Sequence, residues 1–471
     1  MMGIDPECTL PIKRRHFLSR SATGLGAVAL DCLMTPDLLG RVVQTHAPKA
    51  KQVIYLFMSG GPSHVDLFDH KPQLAEYDAQ PLPPEISQGV HFAQISRQSG
   101  APQLKASPYQ FQEHGQCGTK VSELLPHTAE LVDDMAVVKS VHSTVFNHDP
   151  AVAFLNTGHS RIGRPTIGSW LSYGLGAINA DLPAFVVLTS GVKLQPLLES
   201  YWTSGFLPTE HQGVEFRPAG DPVLYLSSPS EVSRQRRRAE LFLIRAMNAE
   251  HHASFGDPEI LTRIKQYELA FRMQSSVPEL TDLSQESAET LALYGARPGE
   301  RSYANNCLLA RRLVERGTRF VQLYDMGWDS HGSLVRDLPR QCRGIDRATA
   351  ALIKDLKRRG LLDETLLIWG GEFGRTPVVE GAGRLWGRDH HPHGFTMWMA
   401  GGGIRGGASH GETDAFGFHA QDKPVEVHDI HATALHCLGI DHEQFIYRHQ
   451  GRDFRLTDVR GKVIKDILAA S

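Results

Sequence analysis

None of the six cysteines (Cys8, Cys32, Cys117, Cys307, Cys342 and Cys437) stands in a CxxC or other short metal-binding spacing. That argues against a thiolate zinc site and leaves no disulfide framework to read. Strong charge of one sign is also missing. The 49 Lys and Arg against 52 Asp and Glu leave a formal net charge of −3, which excludes a nucleic-acid binder held by bulk electrostatics. Beyond the N-terminal region no apolar run reaches the length needed to span a bilayer, so no stable membrane span is expected in the mature chain. Internal repeats and low-complexity tracts are absent. What remains, 471 residues at 41% hydrophobic and 21% charged, is ordinary globular composition: one large α/β domain with insertions, or two domains.

The chain is rich in histidine, with 24 residues, many in the last third beside Asp and Glu, where they point to metal or acid/base chemistry. The stretch Leu366 to Pro377 reads as a buried strand that stops at Gly370 and Gly371 and sets Glu372 at its C-terminal mouth. His390, His391 and His393 follow on the next loop. Ahead of it, Asp346 to Arg359 has apolar residues on one face, charges on the other and Gly360 as a C-terminal cap, which predicts a helix. Helix, short turn and apolar strand make half of a parallel βαβ unit, and ligands bind at the C-terminal mouth of such sheets.

Taken in order, Val53 to Met58 predicts the first central strand, leaving into Ser59-Gly60-Gly61-Pro62-Ser63-His64-Val65-Asp66. Lys71 to Cys117 reads as an irregular surface excursion, and Val121 to Asp133 as a helix that Pro126 restarts. Met135 to Val141 is a second strand, leading to His148 just ahead of a short helix over Ala151 to Thr157. A side chain there meets unpaired backbone N–H groups that favour an anion. Phe185 to Leu188 and Phe320 to Tyr324 are further strands, the latter running into Asp329 and His331. Between them lies a charged, helical region, about 231 to 316, clearest over Gln235 to Glu250 and Arg301 to Arg316. Strand Phe395 to Met399 and helix Val427 to Leu438 complete the reading. His428, Asp429 and His431 on that helix are candidates for ligation or for capping.

Strand ends therefore offer His64, Asp66, His148, Asp329, His331, Glu372, Asp389, His390, His391 and His393. Carboxylates mixed with imidazoles suit a divalent cation: Zn²⁺ or Mn²⁺, or Ca²⁺ where oxygens dominate. At the N-terminus, Lys13-Arg14-Arg15-His16-Phe17-Leu18 before a mildly apolar stretch resembles the twin-arginine export signal. On that reading residues 1–46 are a leader, the twin-arginine machinery is a partner, and the mature protein is periplasmic or extracellular.

Gly60-Gly61-Pro62-Ser63-His64-Val65-Asp66, Trp328-Asp329-Ser330-His331, Glu372-Phe373-Gly374-Arg375-Thr376-Pro377 and Gly387-Arg388-Asp389-His390 together resemble the alkaline phosphatase superfamily. Within it they resemble the exported sulfatase-like family known as domain of unknown function 1501, over nearly all of the chain from Val53 onward. The resemblance implies a doubly wound, mostly parallel α/β sheet flanked by helices in a single domain over 47–471. It also implies a divalent-metal site that hydrolyses phosphate or sulfate esters, with a small molecule or glycan ester as substrate. Asp329 and His331 look like one ligand pair of the superfamily, and His390, His391 or His393 like its last histidine. Glu372 falls where an Asp-His pair would begin, but Phe373 replaces the His. Ser59 takes the first-strand Asp position, leaving His64 or Asp66 to compensate. His148 aligns with the modified Cys of sulfatases, with Ala151 and Val152 at their Ser and Arg, so a formylglycine mechanism is unsupported. His148 remains open as nucleophile, ligand or general acid, with Ser63, Ser143 and Thr144 as weaker nucleophiles. The alternative is a metal-containing binding or structural protein of the cell envelope that kept the fold and lost the nucleophile.

Overall fold

The computed structural model describes residues 44–87, 92, 101–191, 199–217, 221–224, 226–228 and 231–470. The twin-arginine segment, Cys8 and Cys32 lie outside the described residues. Residues 44–46, assigned above to the leader, are described: Thr45 N donates to the Gly439 carbonyl (2.9 Å), and the His46 ring meets the His436 carbonyl (2.9 Å).

Among the described residues nine strands form the central sheet: β1 (Gln52–Ser59), β2 (Met135–His142), β3 (Phe185–Gly191), β4 (Val214–Phe216), β5 (Phe320–Met326), β6 (Thr365–Gly370), β7 (Phe395–Ala400), β8 (Ala408–His410) and β9 (Val425–Glu426). Their order is β8-β2-β7-β6-β1-β5-β3-β4, with β9 also on β2. Only β7 runs antiparallel to its neighbours; every other pairing is parallel. This is a mixed, mostly parallel sheet with helices on both faces.

Burial on both faces explains why β1 is apolar without alternation. Ile54, Leu56 and Met58 share one core with Leu308 and Leu309 of α5 (Tyr303–Glu315) and Leu352 and Leu356 of α6 (Leu334–Arg358). On the other face Phe57 meets the Tyr324 ring at 5.2 Å, and Asn156 of α1 (His148–Thr157) accepts hydrogen bonds from Gln322 (2.6 Å) and Tyr324 (3.2 Å). α2 (Ile167–Leu175) sits on this face too, where a Cβ on Gly168 would strike the Phe185 ring.

Some readings change. The helix expected over Asp346 to Arg359 begins at Leu334 and carries Pro339 inside; Leu334, Leu338, Cys342 and Ile345 extend its buried stripe upstream. Val121 to Asp133 is not one helix. Val121 belongs to a strand, Thr119–Ser122, paired with Phe111–His114, and only single helical turns follow at Pro126–Ala129 and Val132–Asp134. Proline lacks the N–H that a continuous helix needs. The Lys71 to Cys117 excursion is anchored, since Leu74, Leu82 and Leu104 pack with Val65, Val378, Phe416 and Phe418. In the region read as helical, α3 (Arg234–Phe255) and α4 (Pro258–Thr281) form a long hairpin. None of the described helices is long and apolar enough to cross a membrane.

Candidate metal centre

Parallel pairing of β6, β1 and β5 brings their C-terminal ends together, so Glu372, Gly60 and the Asp329-His331 turn leave the sheet side by side. β2 delivers His148, which is the first residue of α1 rather than the residue before it, with Asn147 at the N-cap. A two-residue ribbon, Gly374–Arg375 against His390–His391, precedes the antiparallel β7 and brings His390 to the same end. Gly60 makes the close approach possible. At φ 121° its backbone passes so near the Trp328–Asp329 peptide that a Cβ would lie 2.4 Å from Asp329 N.

The side chains converge on Asp329 Oδ1. His331 Nε2 lies 3.0 Å from it, and His148 Nε2 and His390 Nε2 at 3.4 and 3.5 Å. His331 Nε2 and His390 Nε2 are 2.8 Å apart. Behind each ring the second nitrogen is held. His148 Nδ1 meets Glu372 Oε1 (2.7 Å), His331 Nδ1 meets Glu380 Oε2 (2.6 Å), and His390 Nδ1 meets the Phe146 carbonyl (2.8 Å). A carbonyl only accepts, so His390 Nδ1 carries its proton and neutral His390 presents a lone pair at Nε2. With Glu372 and Glu380 accepting in the same way, His148 and His331 in their neutral forms would likewise turn an Nε2 lone pair toward Asp329 Oδ1. That is a ligand set for a divalent cation, which would take the place of the protons, and holding Nδ1 on an acceptor is how proteins orient metal-binding imidazoles. The donor set fits such an ion: the ligand atoms of His148, Asp329, His331 and His390 all lie within 4.8 Å of one another. His148 Nε2 is buried and outside hydrogen-bond geometry.

The electrostatics of the metal-free group follow. Burial opposes ionisation of Asp329, but Arg375 and the three histidines around it hold its carboxyl far below the usual range. Burial also pulls His331 down, yet hydrogen bonds to Asp329 and Glu380 lift it to about 9. His148 is raised: burial lowers it, but Asp329 and Glu372 outweigh this. His390 is lowered, chiefly by burial. Arg375, fully buried, donates from Nη2 to Asp329 (2.7 Å) and to the Gly60 carbonyl, and from Nε to the Gly61 carbonyl (3.0 Å).

Other candidate residues are placed elsewhere. Glu372 is fully buried behind His148, its Oε1 also accepting from Gly60 N (2.8 Å), so it orients a ring instead of joining the four. Asp66 forms a buried ion pair with Arg388 (2.8 Å) and accepts from Ser63 Oγ (2.5 Å), which leaves it no part in the cluster. His64 Nε2 is spent on the Gly417 carbonyl (2.8 Å), and His391 Nε2 on the Phe418 carbonyl. His393 packs its ring against His391 and His419 instead. Asp389 Oδ1 accepts from His390 N (2.8 Å) and lies 4.0 Å from His331 Nδ1. His428 and His431 bind the carbonyls of Gly158 (2.9 Å) and Leu155 (2.8 Å), fastening α7 (Val427–Cys437) to α1, and Asp429 completes a capping box with Glu426. Sequence reasoning assigned no role to Glu380 or Arg375. Arg375 stood inside a quoted motif, whereas the only local signal of Glu380 is a carboxylate after two valines.

No curated protein matches the chain. Among solved structures it is similar to a protein in the alkaline phosphatase superfamily from Vibrio parahaemolyticus (12% identity over 84% of this chain and 68% of that one, TM-score 0.37). It is also similar to the PsFucS1 sulfatase from Pseudoalteromonas sp. (13%, 85% and 69%, TM-score 0.34) and to alkaline phosphatase from the Antarctic bacterium TAB5 (10%, 76% and 92%, TM-score 0.31). One family model spans residues 50–468, from the first strand to the last turn, and by that match the chain belongs to the family described as protein of unknown function (DUF1501).

Proposed function

We propose that the protein is an exported, metal-dependent hydrolase of phosphate or sulfate esters whose cation is held by His148, Asp329, His331 and His390. The observation that carries the metal is the convergence of three Nε2 atoms on one carboxylate oxygen with every Nδ1 already held. Three imidazoles against one carboxylate favour zinc or manganese over calcium, which takes oxygen ligands. A bound divalent ion there supplies Lewis acidity toward an ester oxygen and lowers the pKa of water. The chain's own residues do the rest. Glu372 and Glu380 hold two rings in one tautomer, and Arg375 holds Asp329 while adding a fixed positive charge beside the ester. The Asp329 and His331 side chains keep about a fifth of their surface exposed while Glu372 and Arg375 keep none, so substrate approaches over Asp329 and His331.

A non-catalytic, metal-binding protein is the second reading, and the serines favour it. Ser63 Oγ is committed to Asp66, Ser143 Oγ accepts from Val145 N (3.1 Å), and Thr144 is exposed. In the hydrolase reading the nucleophile is therefore water, and His148 is a ligand.

Elemental analysis of protein purified without chelator, beside Asp329→Ala, tests the centre. The expectation is roughly one equivalent of zinc or manganese in wild type and less than about a tenth in the variant. Loaded protein is then assayed on aryl phosphates and aryl sulfates. Wild type that takes up no metal overturns the centre; metal without turnover of either ester leaves the binding-protein reading.

A further inference from the structure

α3 is a long helix without a core. It runs for 22 residues, none of them buried, and packs along α4. Toward α4 it directs Arg234, whose guanidinium lies 5.5 Å from the centre of the Phe271 ring, and Arg245, 3.2 Å from Glu268. The half-buried Leu241, Ile244 and Asn248 mark the side turned to α4; away from that stripe Phe242 is exposed by 72% and Leu243 by 62%. A lone helix is marginal in water, and adjoining exposed apolar side chains mark a contact surface.

The pattern on that side is a heptad. Ala239, Ala246 and Ala253, all exposed, recur at every seventh position, with Phe242 and Ala249 three residues after the first two. These are the a and d positions of a helix-pairing seam, and alanine at a allows a second helix to come close. Flanking position e holds Arg236, Leu243 and Glu250. When two copies of this helix pair antiparallel, e faces e. Arg236 of each copy, which lies 3.2 Å from Glu240 of its own helix, then also meets Glu250 of the other, and the two Leu243 side chains meet at the centre. A parallel pair would set Arg234, Arg236, Arg237 and Arg238 against themselves. Antiparallel pairing instead lays this first turn, which has no acidic residue to match its own dipole, beside the carbonyl end of the second helix, where positive charge is favoured. Arg245, on the opposite flank, is balanced within its own chain by Glu268.

We infer that α3 is an interface between two copies of this chain, paired antiparallel along Ala239, Phe242, Leu243, Ala246 and Ala253. The pairing is independent of the metal centre and of any activity there.

Sedimentation velocity on the full, metal-loaded chain at about 50 µM tests it. Wild type is expected to be a dimer. Ala246→Arg, at an exposed position where arginine is a good helix former, is expected to be a monomer with unchanged circular dichroism and metal content. Phe242→Glu is expected to do the same. Glu250→Arg should weaken the dimer about tenfold, and adding Arg236→Glu should restore it, which only the antiparallel register allows. A monomeric wild type overturns the proposal, as does a dimer that survives both Ala246→Arg and Phe242→Glu or a double variant that is not restored. Monomer that sediments with phosphatidylglycerol vesicles also overturns it, in favour of a membrane surface.

Discussion

His390 and His391 are neighbours in the chain, yet their rings end in different environments. They sit on a two-residue strand, so their side chains leave on opposite sides. The His390 ring is fixed by the Phe146 carbonyl through Nδ1 and offers Nε2 to Asp329 and His331. The His391 ring, fully enclosed, gives Nε2 to the Phe418 carbonyl, and burial drives its pKa well below the usual value. His64, His428 and His431 follow His391: one nitrogen meets a backbone carbonyl while Nδ1 is buried without a hydrogen-bond partner. Both kinds of histidine are anchored to backbone or carboxylate acceptors. What separates them is whether the second nitrogen converges with the other ligand atoms around Asp329 or stays apart from them.

That contrast breaks most sharply under paired substitutions. His331→Ala is expected to abolish metal uptake, and also to cost the metal-free protein about 1–3 kcal/mol at pH 7, because a group raised to about 9 on folding contributes stability below that pH. His391→Ala should keep the metal and lose about 2–4 kcal/mol, since it empties a packed site. Metal content and urea midpoints measured on the same samples decide. If both variants bind metal equally well, the two histidine groups are not different in kind.

A smaller effect is expected behind the ligands. Glu372→Gln keeps the acceptor for Gly60 N and His148 Nδ1 but removes the charge, so metal affinity should fall about 10–100-fold. Competition with a chromogenic chelator reads this directly, and unchanged affinity would remove Glu372 from the centre.

The pH dependences of the two groups should differ in form. In the metal-free protein His331 is raised to about 9, and a metal requires its neutral form. Protons therefore compete below that value, and affinity should climb by up to about tenfold per pH unit from 7 toward 9 before levelling. His431 is pushed down to about 3 by burial and by neighbouring His428. It stays neutral when folded, whereas the unfolded chain takes up its proton below about 6.5. Stability from this residue is thus lost as pH falls from 6.5 toward 3, by up to about 1.4 kcal/mol per unit. Urea midpoints at pH 7.5 and 5.5 for wild type and His431→Gln check the sign: the variant should lose less on acidification.

Much of the scaffold was legible because a strand covered on both faces must be apolar throughout. Val53 to Met58, Met135 to Val141, Phe320 to Tyr324 and Phe395 to Met399 all lie within sheet strands. Helix boundaries were less legible. Pro339 masks the first half of α6, where tertiary burial of Leu334 and Leu338 sustains the helix. The ends of the strands also showed where polar chemistry gathers: Asp329, His331, His390 and His148 all came from those exits.

The amino-acid sequence by itself determined the parallel core and the stock of carboxylates and imidazoles at its mouth, because alternation and apolar runs are local properties. Only the tertiary structure decided how that stock is divided. Asp66 goes to Arg388, Glu372 to His148, Glu380 to His331 and His391 to a backbone carbonyl. Two of these pairs lie more than 200 residues apart, Asp66 with Arg388 by 322 and Glu372 with His148 by 224. A buried charge or ring nitrogen takes whichever acceptor the packed backbone places within about 3 Å, and no spacing along the chain encodes that choice.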